Sequence, residues 1–118
     1  MKFLILALAM IFSFPENYKL TGRWETGISE KGNVTGVVFK EDNHLEGYIN
    51  KKPFTSGTFD FNENDSTLSF VDNGCNAIRG VYKVMLYSNS DSLRFQAIND
   101  SCENRKNGMQ RLVMGRVK

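Results

Sequence analysis

The chain has 118 residues, of which 41% are hydrophobic and 24% charged, with 15 basic against 13 acidic side chains and a net charge of +2. A chain of this length makes one domain, and a domain so small buries only about two-thirds of its unfolded surface, which leaves its stability marginal. Charges of both signs are interspersed without the clustered basic face that a nucleic-acid binder needs, and Lys51-Lys52 reads as a solvated turn.

At the N-terminus, Lys2 precedes an unbroken apolar run over residues 3–12, which Ser13-Phe14-Pro15 brings to an end. This is the shape of a secretory signal peptide, read here as residues 1–14 with a mature domain over 15–118. The run is shorter than the about 20 residues a membrane helix requires, and no second one follows, so no permanent anchor is expected. Loss of Lys2 with the leader takes the basic count of 15 down by one against 13 acids, a net charge of about +1. An exported protein, periplasmic or extracellular, is expected.

Downstream the hydrophobic period is two, broken by turn-forming clusters, which predicts an all-β antiparallel domain. Eight strands are expected, over residues 20–28, 34–40, 45–50, 54–62, 67–71, 78–87, 92–98 and 110–117, with one short helix over 102–107 before the last. Requiring apolar residues of both strands to share a face registers three hairpins. The first pairs Phe39 with Leu45 and Val37 with Gly47. The second pairs Phe61 with Leu68 and Phe59 with Phe70. The third pairs Val84 with Leu93, Tyr82 with Phe95 and Gly80 with Ala97, and its extension sets Cys75 opposite Cys102.

Two cysteines in a chain bound for an oxidising compartment favour a disulfide, Cys75–Cys102, whose loop closure contributes roughly 3 kcal/mol. They cannot complete a zinc site with the single His44. Glycine stands two residues before an aromatic in Gly22-Arg23-Trp24, Gly57-Thr58-Phe59 and Gly80-Val81-Tyr82. Glycine weakens a strand unless its missing side chain is used, so these positions read as bends where the sheet curls into an up-and-down barrel. Asp100-Ser101-Cys102-Glu103 reads as a helix start with Asp100 as N-cap.

Leu20-Thr21-Gly22-Arg23-Trp24 resembles the G-x-W signature of the lipocalin, or calycin, barrels. The resemblance implies that Trp24 closes one barrel end beneath an arginine from the far end of the chain, Arg111 or Arg116, while Arg105 on the short helix is a third candidate to reach the indole. Gly57-Thr58-Phe59, Leu68-Ser69-Phe70-Val71-Asp72, Cys75, Gly80-Val81-Tyr82, Leu93-Arg94-Phe95 and Asp100-Ser101-Cys102-Glu103-Asn104-Arg105 are similar to the pattern of small secreted bacterial lipocalin-like proteins. Gly74-Cys75-Asn76 with Gly80-Val81-Tyr82 also resembles the META domains, the second choice of family.

Catalytic chemistry finds little support in the residues. His44 sits in a polar turn with no nucleophile near it in sequence, Asp72 and Asp100 read as turn or capping residues, and phosphate loops and metal-ligand clusters are missing. No enzyme activity, cofactor or metal is expected. Two functions remain. One is a monomeric carrier whose interior holds a small apolar molecule against Phe39, Ile49, Phe59, Phe61, Phe70, Tyr82, Val84, Leu93 and Phe95. The other is an interaction protein, since small exported barrels with one disulfide also resemble bacterial inhibitors of proteases and lysozyme. Its contact with a protein target would come from residues 15–19 or from the loop over 50–53.

Overall fold

A computed structural model describes residues 19–118; the signal-peptide reading of residues 1–14 and, save for Lys19, the candidate contact segment over residues 15–19 lie outside them. Eight antiparallel strands close into a barrel in sequence order. They are β1 (Gly22–Thr26), β2 (Thr35–Phe39), β3 (His44–Ile49), β4 (Lys52–Asn62), β5 (Thr67–Asp72), β6 (Gly80–Tyr87), β7 (Ser92–Asn99) and β8 (Val113–Arg116), and among the described residues one helix, α1 (Glu103–Arg111), precedes β8. The last strand pairs with both β7 and β1, so the sheet closes on itself and the unpaired edges that invite aggregation are largely removed.

Period-two patterning places Phe39, Leu45, Phe59, Phe61, Leu68, Phe70, Tyr82, Val84, Leu93, Phe95 and Met114 inside, each nearly or fully buried. Two expected hairpin registers are those of the structure: Phe39 faces Leu45 and Val37 faces Gly47, while Phe61 faces Leu68 and Phe59 faces Phe70. The third is offset by two residues. Val84 faces Phe95, Leu86 faces Leu93 and Tyr82 faces Ala97. The offset keeps every side chain on its expected face, so the apolar pattern alone could not detect it. Its cause is a longer loop after Tyr87, in which Ser88, Asn89 and Ser90 all take the left-handed conformation.

The disulfide therefore does not arise as an extension of the β6–β7 ladder. Cys75 lies in the loop between β5 and β6 and Cys102 immediately before α1, and their Cα atoms are 6.2 Å apart. The helix is longer than expected and replaces the first part of the predicted last strand. It covers the upper half of β7, which β8 is too short to reach, and Gln110 accepts the otherwise free Ala97 amide at 3.2 Å. Asp100 is not the N-cap. Cys102 occupies that position without a side-chain cap bond, while Asp100 accepts the Cys102 amide at 3.0 Å and is otherwise engaged by Arg105.

Between β3 and β4, Asn50 and Lys51 form a two-residue turn with both φ angles positive, the conformation whose twist matches a hairpin. Lys52 and Pro53 belong to β4, so of residues 50–53 only Asn50 and Lys51 lie in the turn itself. Just beyond the turn the ladder slips: Gly47 pairs with Thr55 but Tyr48 with Pro53, which leaves Phe54 without a partner as a bulge. Proline is tolerated there because a bulge asks for one ladder bond fewer.

Candidate ligand-binding site

The two barrel ends differ. One gathers the β2–β3, β4–β5 and β6–β7 turns with residues 19–21 and the end of β8. It is plugged by Leu20 and Trp24, both with no exposed surface. The indole Nε1 donates to the Leu20 carbonyl at 2.9 Å, and the Arg116 guanidinium lies 4.2 Å from the ring centroid. Arg116 also donates to the carbonyls of Lys19 at 2.7 Å, Thr21 at 2.9 Å and Ser90 at 3.1 Å, tying residues 19–21 and β8 to the β6–β7 turn. Of the three arginines offered for Trp24, Arg116 is the one over the indole. Arg111 is exposed at the end of α1, and Arg105 stands over Phe70, 4.9 Å from its ring. Both are held away because α1 sits at the other end of the barrel.

That other end carries the β1–β2 loop, the Asn50-Lys51 turn, the β5–β6 loop, the disulfide and α1. Between them opens a cavity of about 710 Å³, within the range of pockets that hold small molecules. Its inner wall is Phe39, Leu45, Leu68, Phe70, Phe95 and Met114, and its mouth is framed by Phe54, the disulfide, Met109 and Leu112. Of the nine residues proposed from sequence as interior contacts, Phe39, Phe70 and Phe95 line it. Phe59, Phe61, Tyr82, Val84 and Leu93 pack in the core away from the wall, and Ile49 is half-buried outside the buried core. Phe54 is a wall residue that sequence reasoning passed over. The β4 bulge turns it to the mouth, where it stays 69% exposed, and bulges commonly re-aim a side chain next to a site.

Under the mouth lies a buried ionic cluster. Arg105 donates through Nε to Asp100 Oδ2 at 2.8 Å and through Nη2 to Asp100 Oδ1 at 2.9 Å, through Nη1 to Asp72 Oδ1 at 3.2 Å, and through Nη2 to the Ile78 carbonyl at 2.8 Å. The Tyr82 hydroxyl donates to Asp100 Oδ2. Side-chain exposure is 8% for Arg105 and Asp72 and zero for Asp100. Burial is the largest single influence on Asp100 and raises its pKa. Hydrogen bonds from Arg105, Tyr82 and the Cys102 amide, with the guanidinium charge, outweigh it and hold the carboxyl below its usual value. For Tyr82, burial first and the hydrogen bond to Asp100 second push the phenol well up. Gly80 makes the cluster possible, since a Cβ there would stand 2.9 Å from Arg105 Nη2 and 3.0 Å from Asp100 Oδ2.

Asp72 and Asp100 do take the turn roles read from sequence, each accepting the amide two residues on, Gly74 at 3.1 Å and Cys102 at 3.0 Å. Their convergence on Arg105 was not foreseen. The available signal was Asp72 itself, which continues the inward-facing row Leu68, Phe70, Asp72 on β5 and so needed a buried partner.

His44 is exposed at the start of β3, with Nδ1 3.2 Å from Asp42 Oδ1. It borders a concavity of about 410 Å³ on the outer face among Lys40, Asp42, Glu46 and Ser56. Ser56 and Thr58 bring hydroxyls to the same concavity, and among the described residues no hydrogen bond joins either of them to the imidazole. Among the described residues no group of three or more His, Cys, Asp and Glu side chains could hold a metal ion, and no helix is long and apolar enough to cross a membrane. No model of a known protein family matches the chain, and comparison with curated protein sequences finds no significant match.

Proposed function

We propose that the protein is an exported, lipocalin-like carrier that binds a small apolar molecule in the open end of its barrel. The observation that carries this reading is the cavity of about 710 Å³, whose inner wall is aromatic and aliphatic and whose other end is stoppered by Trp24 and Arg116. A barrel built for stability alone fills its interior with side chains, whereas here the filling stops at Phe39, Phe70 and Phe95. The family assignment rests on the closed eight-stranded antiparallel barrel and on the G-x-W tryptophan beneath a last-strand arginine. Export rests on the apolar leader pattern together with the Cys75–Cys102 disulfide. In this reading the protein acts as a monomer, without catalysis and without a nucleic-acid partner.

Native mass spectrometry of the protein purified from its own host under oxidising conditions tests the reading. The expected spectrum shows a mass lacking the leader and two hydrogens, with a small molecule that is lost on collisional activation. An empty, correctly processed protein that also fails to take up an apolar fluorophore such as N-phenylnaphthylamine would overturn the carrier.

A further inference from the structure

We infer that the ligand is a long-chain amphiphile with a cationic amine head, and that Asp72 is the residue that selects the head; the inference rests on the carrier reading. Among the described residues three charged side chains line the cavity, Asp72, Arg105 and Arg111. Arg105 is largely engaged: both oxygens of Asp100, one of Asp72 and the Ile78 carbonyl take four of its five N–H donors, leaving one on Nη1. Its single charge faces two carboxylates, so the cluster carries an excess of one negative charge at the cavity wall. Arg111 is exposed at the mouth, where water and salt screen it.

The excess is directed. Asp72 is 92% buried by its side-chain exposure of 8%. Its Oδ1 receives Arg105 and the Gly74 amide, while among the described residues no donor is placed on Oδ2. A buried carboxylate oxygen without a donor is costly, and a ligand N–H aimed at it recovers that cost. The position also fixes orientation. Leu68, Phe70 and Asp72 are alternate residues on the inner face of β5 and all three line the cavity, with Asp72 at the open end. An alkyl chain laid along Leu68 and Phe70 therefore brings its head to Asp72. A carboxylate head in the same place would meet a like charge with a single guanidinium N–H left to receive it.

Isothermal titration of the purified protein with dodecylamine, dodecanol and dodecanoic acid, at equal salt and below micelle formation, reads the preference directly. The amine is expected to bind about tenfold more tightly than the alcohol, with the acid weakest. Asp72→Asn keeps the side-chain volume and an acceptor for Arg105, and is expected to remove the amine's advantage while leaving the alcohol within about twofold. Equal binding of amine and alcohol, tighter binding of the acid, or an undiminished amine advantage in folded Asp72→Asn overturns the inference and leaves the carrier standing. If none of the three binds while N-phenylnaphthylamine does, the inference falls and the carrier stands; if the fluorophore is not taken up either, the carrier reading itself fails. Should Asp72→Asn not fold, the ranking on the unaltered protein decides.

Discussion

A guanidinium with less than a tenth of its surface exposed persists only where its charge and donors are met, and Arg105 is met by Asp100, Asp72 and a backbone carbonyl. Removing it would strand two buried carboxylates, which costs more than the ion pair itself contributes. Arg105→Met is therefore expected to lower the unfolding free energy by about 3–5 kcal/mol in urea titrations, and Arg105→Lys to recover little, because a lysine cannot bond both Asp100 oxygens in one plane. The same contacts set the acid limit. Asp100 has its folded pKa below the model-peptide value of 3.8, so its contribution is complete above that value and is lost as the pH falls through the lower folded one. Asp100→Asn should flatten the fall in stability below about pH 4. On the alkaline side the sign reverses. Burial, then the hydrogen bond to Glu25, pushes Tyr48 from 10.0 up to about 12, so its contribution is present below pH 10.0 and lost through about 12. Tyr48→Phe should remove that part of the alkaline decline in the same titrations. Beyond the inward position of Asp72 on β5, this residue chemistry does not follow from local pattern. Asp72 and Arg105 are 33 positions apart, and only the tertiary path of the β5–β6 loop and α1 joins them.

The elements were legible where a pattern of period two meets a short turn, and less so where loop length sets the register. Val84 could face Leu93 or Phe95 without any side chain changing sides, and the left-handed run Ser88-Asn89-Ser90 decides for Phe95. Likewise Phe54 reads as an ordinary first strand residue until the bulge across from Gly47 and Tyr48 turns it to the cavity mouth. The strand glycines were read as bends, and the structure gives each a more specific use. At Gly22 the φ of +132° favours glycine. At Gly57 an added Cβ would lie 1.9 Å from the Val71 carbonyl oxygen, backbone against backbone across the β4–β5 ladder. No rotamer relieves such a contact, so Gly57→Ala should cost about 3 kcal/mol or more, measured as a lowered urea midpoint at unchanged slope. Gly27, where a Cβ meets nothing within 4 Å, is the control, and its alanine variant should unfold close to the unaltered protein.

Across the whole molecule the barrel is asymmetric, with a guanidinium over the indole at the plugged end and the disulfide beside the buried ion cluster at the open end. The plugged end is held by Arg116 bonding residues 19–21 from β8, and the open end by the disulfide, which joins the β5–β6 loop to the start of α1 beside the Asp72–Arg105–Asp100 cluster. Both segments border the cavity and have few buried apolar groups of their own; α1 buries none of its residues fully. Their order therefore depends on the bridge, whose 27-residue separation places its loop-closure contribution at about 3–4 kcal/mol. Replacing both cysteines by serine should lower stability by that amount. Hydrogen exchange should then quicken over residues 73–79 and 103–111 while β1 and β8, stapled by Arg116 and remote from the bridge, keep their protection. Uniform quickening over the barrel would mean that the two ends open as one unit. Trp24 supplies an independent reading, being the single tryptophan and lying at the plugged end away from the cavity wall. Its emission should follow global unfolding in denaturant yet stay unchanged through the selective loosening of the open end. The molecule would then admit a ligand by local motion at one end without disturbing the closure at the other.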